Sequence, residues 1–222
     1  GTYRGMPISV MSSGMGPDNI EIVLAEIMEI TTRPTLIRLG SSGAIQPDIG
    51  HDDLVISTGA VRLENTTDYY VDRGYPAIAH RDVVWALEAA CLEKGYPYHA
   101  GLTATAPGFY APQGRAMRSL PVRYPHLAEE LQQQRVANFE MESSALFVLS
   151  ALAGLRSGTV CAVYAQRLEG TFPEGAAKDA AEARCIDAGL TGIHLLWEMD
   201  QQQDGDPRSR WSSLIGRQGG ER

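Results

Sequence analysis

What constrains this chain most is a change of period that repeats along its length. Short runs with strand character alternate with segments whose apolar residues recur three and four apart. Thr35–Leu39, Leu54–Arg62, His99–Thr105 and Thr159–Ala165 read as strands, the second rich in β-branched residues. Between them lie helical patterns. Ile20, Val23, Leu24, Ile27 and Met28 fall on one face of a helix that opens at Pro17, a favoured first helical residue, and runs to about Ile30. Val84, Leu87, Ala90 and Cys91 line a second helix over Val83–Lys94, stopped by Gly95. A short polar helix is expected over His126–Arg135. Asn138–Ala153 ends in a helix stopped by Gly154, and a long helix covers Ala176 to about Met199, with Gly189 and Gly192 inside it. Strand–helix alternation of this kind predicts an α/β fold around a parallel or mixed central sheet.

The 222 residues show no repeat and no linker, so one domain is expected, with a core of useful size. Residues 1–199 carry the element pattern, and 200–222 read as a polar, flexible tail. With 44% apolar residues the chain is not of the disordered class, and no apolar run reaches the length of a membrane-spanning helix. Nineteen basic against 27 acidic side chains give a net charge of −8, which speaks against nucleic acid and membrane surfaces as general partners. Three scattered cysteines (Cys91, Cys161, Cys185) without a CxxC pair predict reduced, buried thiols and a cytoplasmic setting. The five histidines form no metal-binding spacing, so no metal site is expected. The chain opens on a predicted hairpin, Thr2-Tyr3, a turn at Arg4-Gly5, then Ile8–Met11, as though a longer domain had been entered partway.

Several segments carry candidate chemistry. Gly14-Met15-Gly16 runs into a helix, where backbone N–H groups and the helix dipole face an anion, although a tight strand-to-helix turn is the better reading of this segment alone. A third glycine of a dinucleotide fingerprint is replaced by Asn19. Arg38-Leu39-Gly40-Ser41-Ser42-Gly43 sets a guanidinium at a strand end beside a loop of hydroxyls and glycines, the donors a phosphate dianion needs. Residues 106–125 form a Pro/Gly-rich loop holding Phe109-Tyr110 and Gln113-Gly114-Arg115. There an aromatic ring can cover a planar base while an amide and a guanidinium read its edge. In Asn138-Phe139-Glu140-Met141-Glu142, a helix would throw the two carboxylates roughly 200° apart, whereas extended backbone puts them on one face. Arg167 stands at the end of a strand, where open α/β sheets place ligand groups.

In this order, the segments Arg38–Ile45, Phe109–Arg115 and Asn138–Ser143 resemble the nucleoside phosphorylase family, in its uridine phosphorylase-like branch, over Gly1 to about Arg167. The resemblance implies a single-domain, three-layer α/β/α fold with a central mixed sheet. It implies a pentosyltransferase in which inorganic phosphate, as co-substrate and without a further cofactor, cleaves uridine to uracil and ribose 1-phosphate. Arg38 and Ser41 would hold phosphate with Gly16 near it. Met141 and Glu142 would hold the ribose with Glu140 in support. Gln113 and Arg115 would bind the uracil edge, with Phe109 against the ring and Arg167 polarising a base carbonyl. Glu142, Arg167 and Arg38 are thus the catalytic candidates. Tyr164-Ala165-Gln166-Arg167 lacks the Asp of the bacterial purine enzymes, which favours a pyrimidine. The resemblance also implies a homo-oligomer, a dimer or trimer of dimers, and about fifty further residues ahead of the hairpin with a Gly-Asp-Pro phosphate loop. A purine phosphorylase or nucleosidase of the same fold, or a non-catalytic nucleoside-binding or assembly paralogue, are the alternatives.

Overall fold

A computed structural model describes residues 1–201. The expected tail at 200–222 therefore lies, from residue 202 on, outside the described residues.

Thr2–Tyr3 (β1) and Met6–Pro7 (β2) form the opening hairpin, with Arg4 and Gly5 both at positive φ in the turn. Its second strand is earlier and shorter than the apolar run Ile8–Met11 suggested. The main sheet is built from Thr35–Ala44 (β3), Leu54–Arg62 (β4), Ala77–Ile78 (β5), Tyr98–Thr105 (β6), Asn138–Glu140 (β7) and Arg156–Gln166 (β8). Their order is β5-β4-β6-β7-β3-β8. β4 pairs with β6, β6 with β7 and β3 with β8 in parallel, while β3–β7 and β4–β5 are antiparallel, so the sheet is mixed as expected. It also curls: Leu54, Val55 and Ile56 of β4 pair antiparallel with Ala162, Cys161 and Val160 of β8, closing the strands on themselves.

β3 differs most from its expected form. Gly40-Ser41-Ser42-Gly43-Ala44 looks like a loop by composition, yet it continues the strand beside β8, with one irregularity in register between Ser42 and Gly43. Ladder pairing with β8 throughout, and with β7 at Gly43 and Ala44, outweighs the weak strand preference of glycine and serine.

The helices are Pro17–Ile30 (α1), Arg81–Lys94 (α2), Leu127–Gln133 (α3), Ser143–Leu152 (α4) and Ala176–Gln201 (α5). They pack in two main groups. α2 and α5 bury Val83, Leu87, Cys91, Ala181, Cys185 and Leu196 against Leu54, Ile56, Val160 and Ala162 of the sheet. α1 and α4 meet through Ile20, Leu24, Leu146, Phe147 and Leu149. The two glycines inside α5 have a packing reason. A Cβ on Gly189 would stand 2.2 Å from Leu39 Cδ2, and one on Gly192 would stand 2.9 Å from Leu87 Cδ2. Those positions set how closely α5 lies on β3 and α2. Among the described residues no helix is long and apolar enough to cross a membrane.

Candidate active site

The carboxylates of Glu140 and Glu142 converge on one guanidinium. β7 ends at Glu140, and Glu142 caps α4 with non-helical backbone, φ −133° and ψ −29°. The chain is thus not yet helical where the two acids stand, and both turn toward Arg38. Arg38 Nη2 donates to Glu142 Oε2, and Arg38 Nε lies 3.5 Å from Glu140 Oε2. On its other side Arg38 Nη1 meets the Cys161 sulfur at 2.9 Å. Cys161 sits opposite Gly40 on β8, so the strand register brings the thiol under the guanidinium as it folds back over Gly40.

Glu140 is the fixed member. Its Oε1 accepts from the Thr105 hydroxyl at 2.6 Å, and Oε2 accepts from the backbone N–H groups of Glu142 and Ser143, both at 2.9 Å. Burial pushes its carboxyl above the ordinary range, Arg38 pulls it down and Glu142 pushes it up again, with a net upward direction. Burial alone would lower the Arg38 pKa, but Cys161, Glu140 and Glu142 outweigh it and hold the guanidinium above its ordinary value. The Cys161 thiol, pushed up to about 12 chiefly by burial, keeps its proton below that, so at neutral pH the charge on Arg38 is held by Glu140 and Glu142.

Glu142 reaches further. Its Oε1 accepts the backbone N–H of Gly16 at 2.7 Å, where α1 begins. Gly16 holds φ 96°, a conformation open to glycine, which aims this N–H at the site from the positive end of the helix dipole. The Gly14–Gly16 turn therefore does receive an anion, and the anion is a carboxylate of the protein itself.

Beside this cluster stands a second one. Arg167, the residue after β8, donates from Nη1 to Gln113 Oε1 at 2.6 Å and from Nη2 to the Gln113 carbonyl at 2.9 Å. Its guanidinium lies 5.0 Å from the centre of the Phe139 ring, the residue before Glu140. Burial, and then the neighbouring Arg115, push Arg167 down to about 10. Arg115 stacks on Phe109 with its guanidinium carbon 4.1 Å from the ring centre, and Phe109 meets Tyr110 edge-on at 5.2 Å. Arg115 Nε is buried without a hydrogen-bond partner among the described residues, a donor left for something else to use. Burial lowers the Arg115 pKa as well.

Gly16, Arg38, Glu140, Met141 and Glu142 thus come together, and so do Phe109, Gln113, Arg115 and Arg167. Met141 is half-buried, and its N–H lies 3.2 Å from Glu142 Oε2. Ser41 is the exception. Because side chains alternate along a strand, Ser41 faces away from Arg38. It lines a cavity of about 360 Å³ toward α5, with Tyr164, Lys178 and Glu182. The expectation that Ser41 and Arg38 grip one phosphate from a loop is corrected here, because the segment is a strand. Tyr164 points to that same side, bonding Glu182 through its hydroxyl at 3.0 Å.

Thr105 and Cys161 escaped the sequence reading. Thr105 ends β6 at the same level as Glu140, and a hydroxyl at a strand's carboxyl end was the available signal. Cys161 carried none, since its role depends on a register across β3 and β8.

A mixed sheet with helices packed on it, two carboxylates on one arginine and an amide–guanidinium pair beside them place the chain in the class of α/β proteins with charged clusters at the sheet's strand ends. Comparison with known proteins gives the class a family. The profile of the phosphorylase superfamily matches residues 1–188. A uridine phosphorylase of Thermococcus kodakarensis is 40% identical over 213 residues, 95% of this chain and 75% of that protein. One from Haemophilus influenzae is 34% identical over 88% of this chain and 79% of its own length. A DeoD-type purine nucleoside phosphorylase of Proteus mirabilis is 27% identical over 88% of this chain. The chain belongs to the phosphorylase superfamily.

Proposed function

We propose that this chain is a pentosyltransferase that phosphorolyses uridine to uracil and ribose 1-phosphate. The observation that carries the reading is the adjacency of two clusters on one strand: Glu140 of β7 holds Arg38, and Phe139 beside it underlies Arg167. The relatives named uridine phosphorylase support the same substrate.

In this reading the C1′–N1 bond of uridine breaks with its electron pair leaving on the base, and a phosphate oxygen forms the new bond to C1′. Positive charge gathers on the ribose and negative charge on the uracil, so groups fixed for those charges favour the transition state over the ground state. Glu142 holds the ribose hydroxyls with Met141 against the sugar, and Glu140 keeps Arg38 in place. Arg38 and the Gly16 N–H hold the phosphate. Gln113 already gives its oxygen to Arg167 and so has its amide NH₂ for a base carbonyl. Arg115 offers its unpaired Nε, Phe109 flanks the ring, and Arg167 draws the developing negative charge.

A pyrimidine is favoured over a purine because a cation, Arg167, stands after β8 where a purine leaving group would need an acid. The reaction needs no cofactor besides inorganic phosphate as co-substrate. We place the enzyme in the cytoplasm, as a homo-oligomer built from dimers; mass photometry showing monomers alone would contradict that assembly. The test of the activity is release of uracil from uridine with and without phosphate, with inosine and methylthioadenosine alongside. Phosphate-dependent turnover of uridine is expected. Turnover without phosphate, or preference for inosine, would replace this reading with a nucleosidase or a purine enzyme, and no turnover at all with the non-catalytic alternative.

A further inference from the structure

One contact blocks both halves of the proposed site. The two donors assigned to phosphate, the Gly16 N–H and Arg38 Nη2, are both spent on Glu142. The carboxylate assigned to the ribose is by the same bonds turned away from any ligand, and its residue is only 5% exposed. Glu142 therefore sits as an internal anion at the head of α1, on the guanidinium and the helix N-terminus that an external anion would use.

We propose that Glu142 is a built-in occupant of the phosphate position, and that phosphate displaces it and thereby delivers its carboxylate to the ribose hydroxyls. This rests on the reading of Gly16 and Arg38 as phosphate donors given above. The surroundings decide which side chain moves. Glu140 accepts three hydrogen bonds, none of them from a donor assigned to phosphate, so it is fixed. Arg38 keeps Cys161 at 2.9 Å and Glu140 at 3.5 Å after Glu142 leaves, so the guanidinium stays where phosphate needs it. Glu142 also accepts three hydrogen bonds, but two come from the donors that phosphate satisfies equally well, the Gly16 N–H and Arg38. The third, from the adjacent Met141 N–H, is the longest at 3.2 Å, so Glu142 is the part free to turn. Exchanging one anion for another keeps the Gly16 N–H and the Arg38 guanidinium satisfied and gives up only the Met141 N–H contact, which keeps the step free of a buried, unpaired charge.

Phosphate and nucleoside then help each other to bind. A nucleoside arriving first must pull Glu142 off Gly16 and Arg38 by itself, leaving the Gly16 N–H and Arg38 Nη2 without an acceptor. Arriving after phosphate, it finds the carboxylate released. Thermodynamic reciprocity requires each ligand to raise the affinity of the other by the same factor.

The experiment measures this coupling with sulfate, an unreactive tetrahedral dianion, by titration calorimetry on the wild-type protein. Uridine affinity is measured with and without saturating sulfate, and sulfate affinity with and without uridine. The expected result is a tightening of about fivefold or more, equal in both directions. Glu142→Gln keeps the side-chain volume but has no charge to hold Arg38, and its coupling should fall to within about twofold of none. Sulfate that binds but leaves uridine affinity unchanged or weaker overturns the exchange, even where phosphorolysis is intact. Sulfate that does not bind at all also overturns it. Absence of phosphate-dependent uracil release, in contrast, removes the underlying functional reading. The wild-type coupling decides the matter even should the variant fold poorly.

Discussion

Gly43→Ala tests whether the position of Arg167 governs the reaction. Gly43 lies in β3 against Ala165 of β8, directly under the Arg167 side chain. A Cβ there would come 2.8 Å from Arg167 Cδ and 2.9 Å from Cγ. Carbon atoms rest about 3.5–4.0 Å apart, so the arginine stem must move by about 0.7–1.2 Å. It cannot do so by shifting its backbone, because the Arg167 N–H is bonded to the Ala44 carbonyl at 2.8 Å. The movement passes to the guanidinium and to its bonds with Gln113. A displacement of about 1 Å at a reacting group costs on the order of 100-fold, or about 2.7 kcal/mol in the barrier. The assay is kcat/KM for uridine at saturating phosphate. It is paired with a thermal melt, since overpacking of this kind also costs about 1–3 kcal/mol of stability. Gly101→Ala in β6 is the control, because its Cβ meets Ala137 at 3.5 Å, an ordinary contact. Equal small effects of both substitutions, or a folded Gly43→Ala protein within about threefold of wild type, would refute the link between Arg167 position and rate.

Glu142→Gln should lower kcat/KM by about 2–4 kcal/mol of transition-state stabilisation, as steady-state kinetics would show, and an unaffected rate would remove Glu142 from the chemistry. Glu64 is fully buried and accepts from the Thr67 N–H, the Thr67 hydroxyl and the Ser144 hydroxyl. Glu64→Ala strands those donors and should cost about 3–5 kcal/mol in urea denaturation, whereas a loss below about 1 kcal/mol would mean the network relaxes. Burial pushes Cys91 and Cys161 up to about 12 and Cys185 up to about 11. A raised thiol pKa means the folded state keeps a proton that the unfolded chain gives up near its ordinary value. Stability is therefore whole below about pH 9 and falls as pH rises toward the folded values, by up to about 1.4 kcal/mol per pH unit for each thiol. Denaturation at pH 8 and pH 10 should show that fall reduced in Cys91→Ala, and an identical pH dependence would contradict it.

The elements were legible where a local rule fixed them. Pro17 at the first position and Gly95 at the end bounded α1 and α2, because a missing N–H and a left-handed backbone act within one turn. β5 and the helical turn at Thr66–Tyr69 were not legible, since two strand residues gain their form only by pairing with Gly59 and Ala60. The same holds for Gly40–Ala44, whose composition speaks for a loop and whose neighbours make it a strand. That difference decides where Ser41 stands: on a strand its side chain alternates to the face opposite Arg38.

The acid pair shows the opposite case. A helical start at Asn138 would have separated Glu140 from Glu142, and extended backbone was the condition under which they could share a face. The structure keeps the chain out of the helix there because β7 pairs with β3 through Phe139 and with β6 through Glu140, delaying α4 until Ser143. What no local pattern could supply is the third partner. Gly16 and Glu142 are 126 residues apart, and their bond exists because α1 packs on α4, setting the head of one helix against the cap of the other. The packing of two apolar helix faces therefore decides which anion stands at Gly16 and Arg38 when no substrate is bound. A substitution in that packing, such as Leu24→Ala at the α1–α4 contact, acts on the site without touching it, by loosening the hold of Gly16 on Glu142.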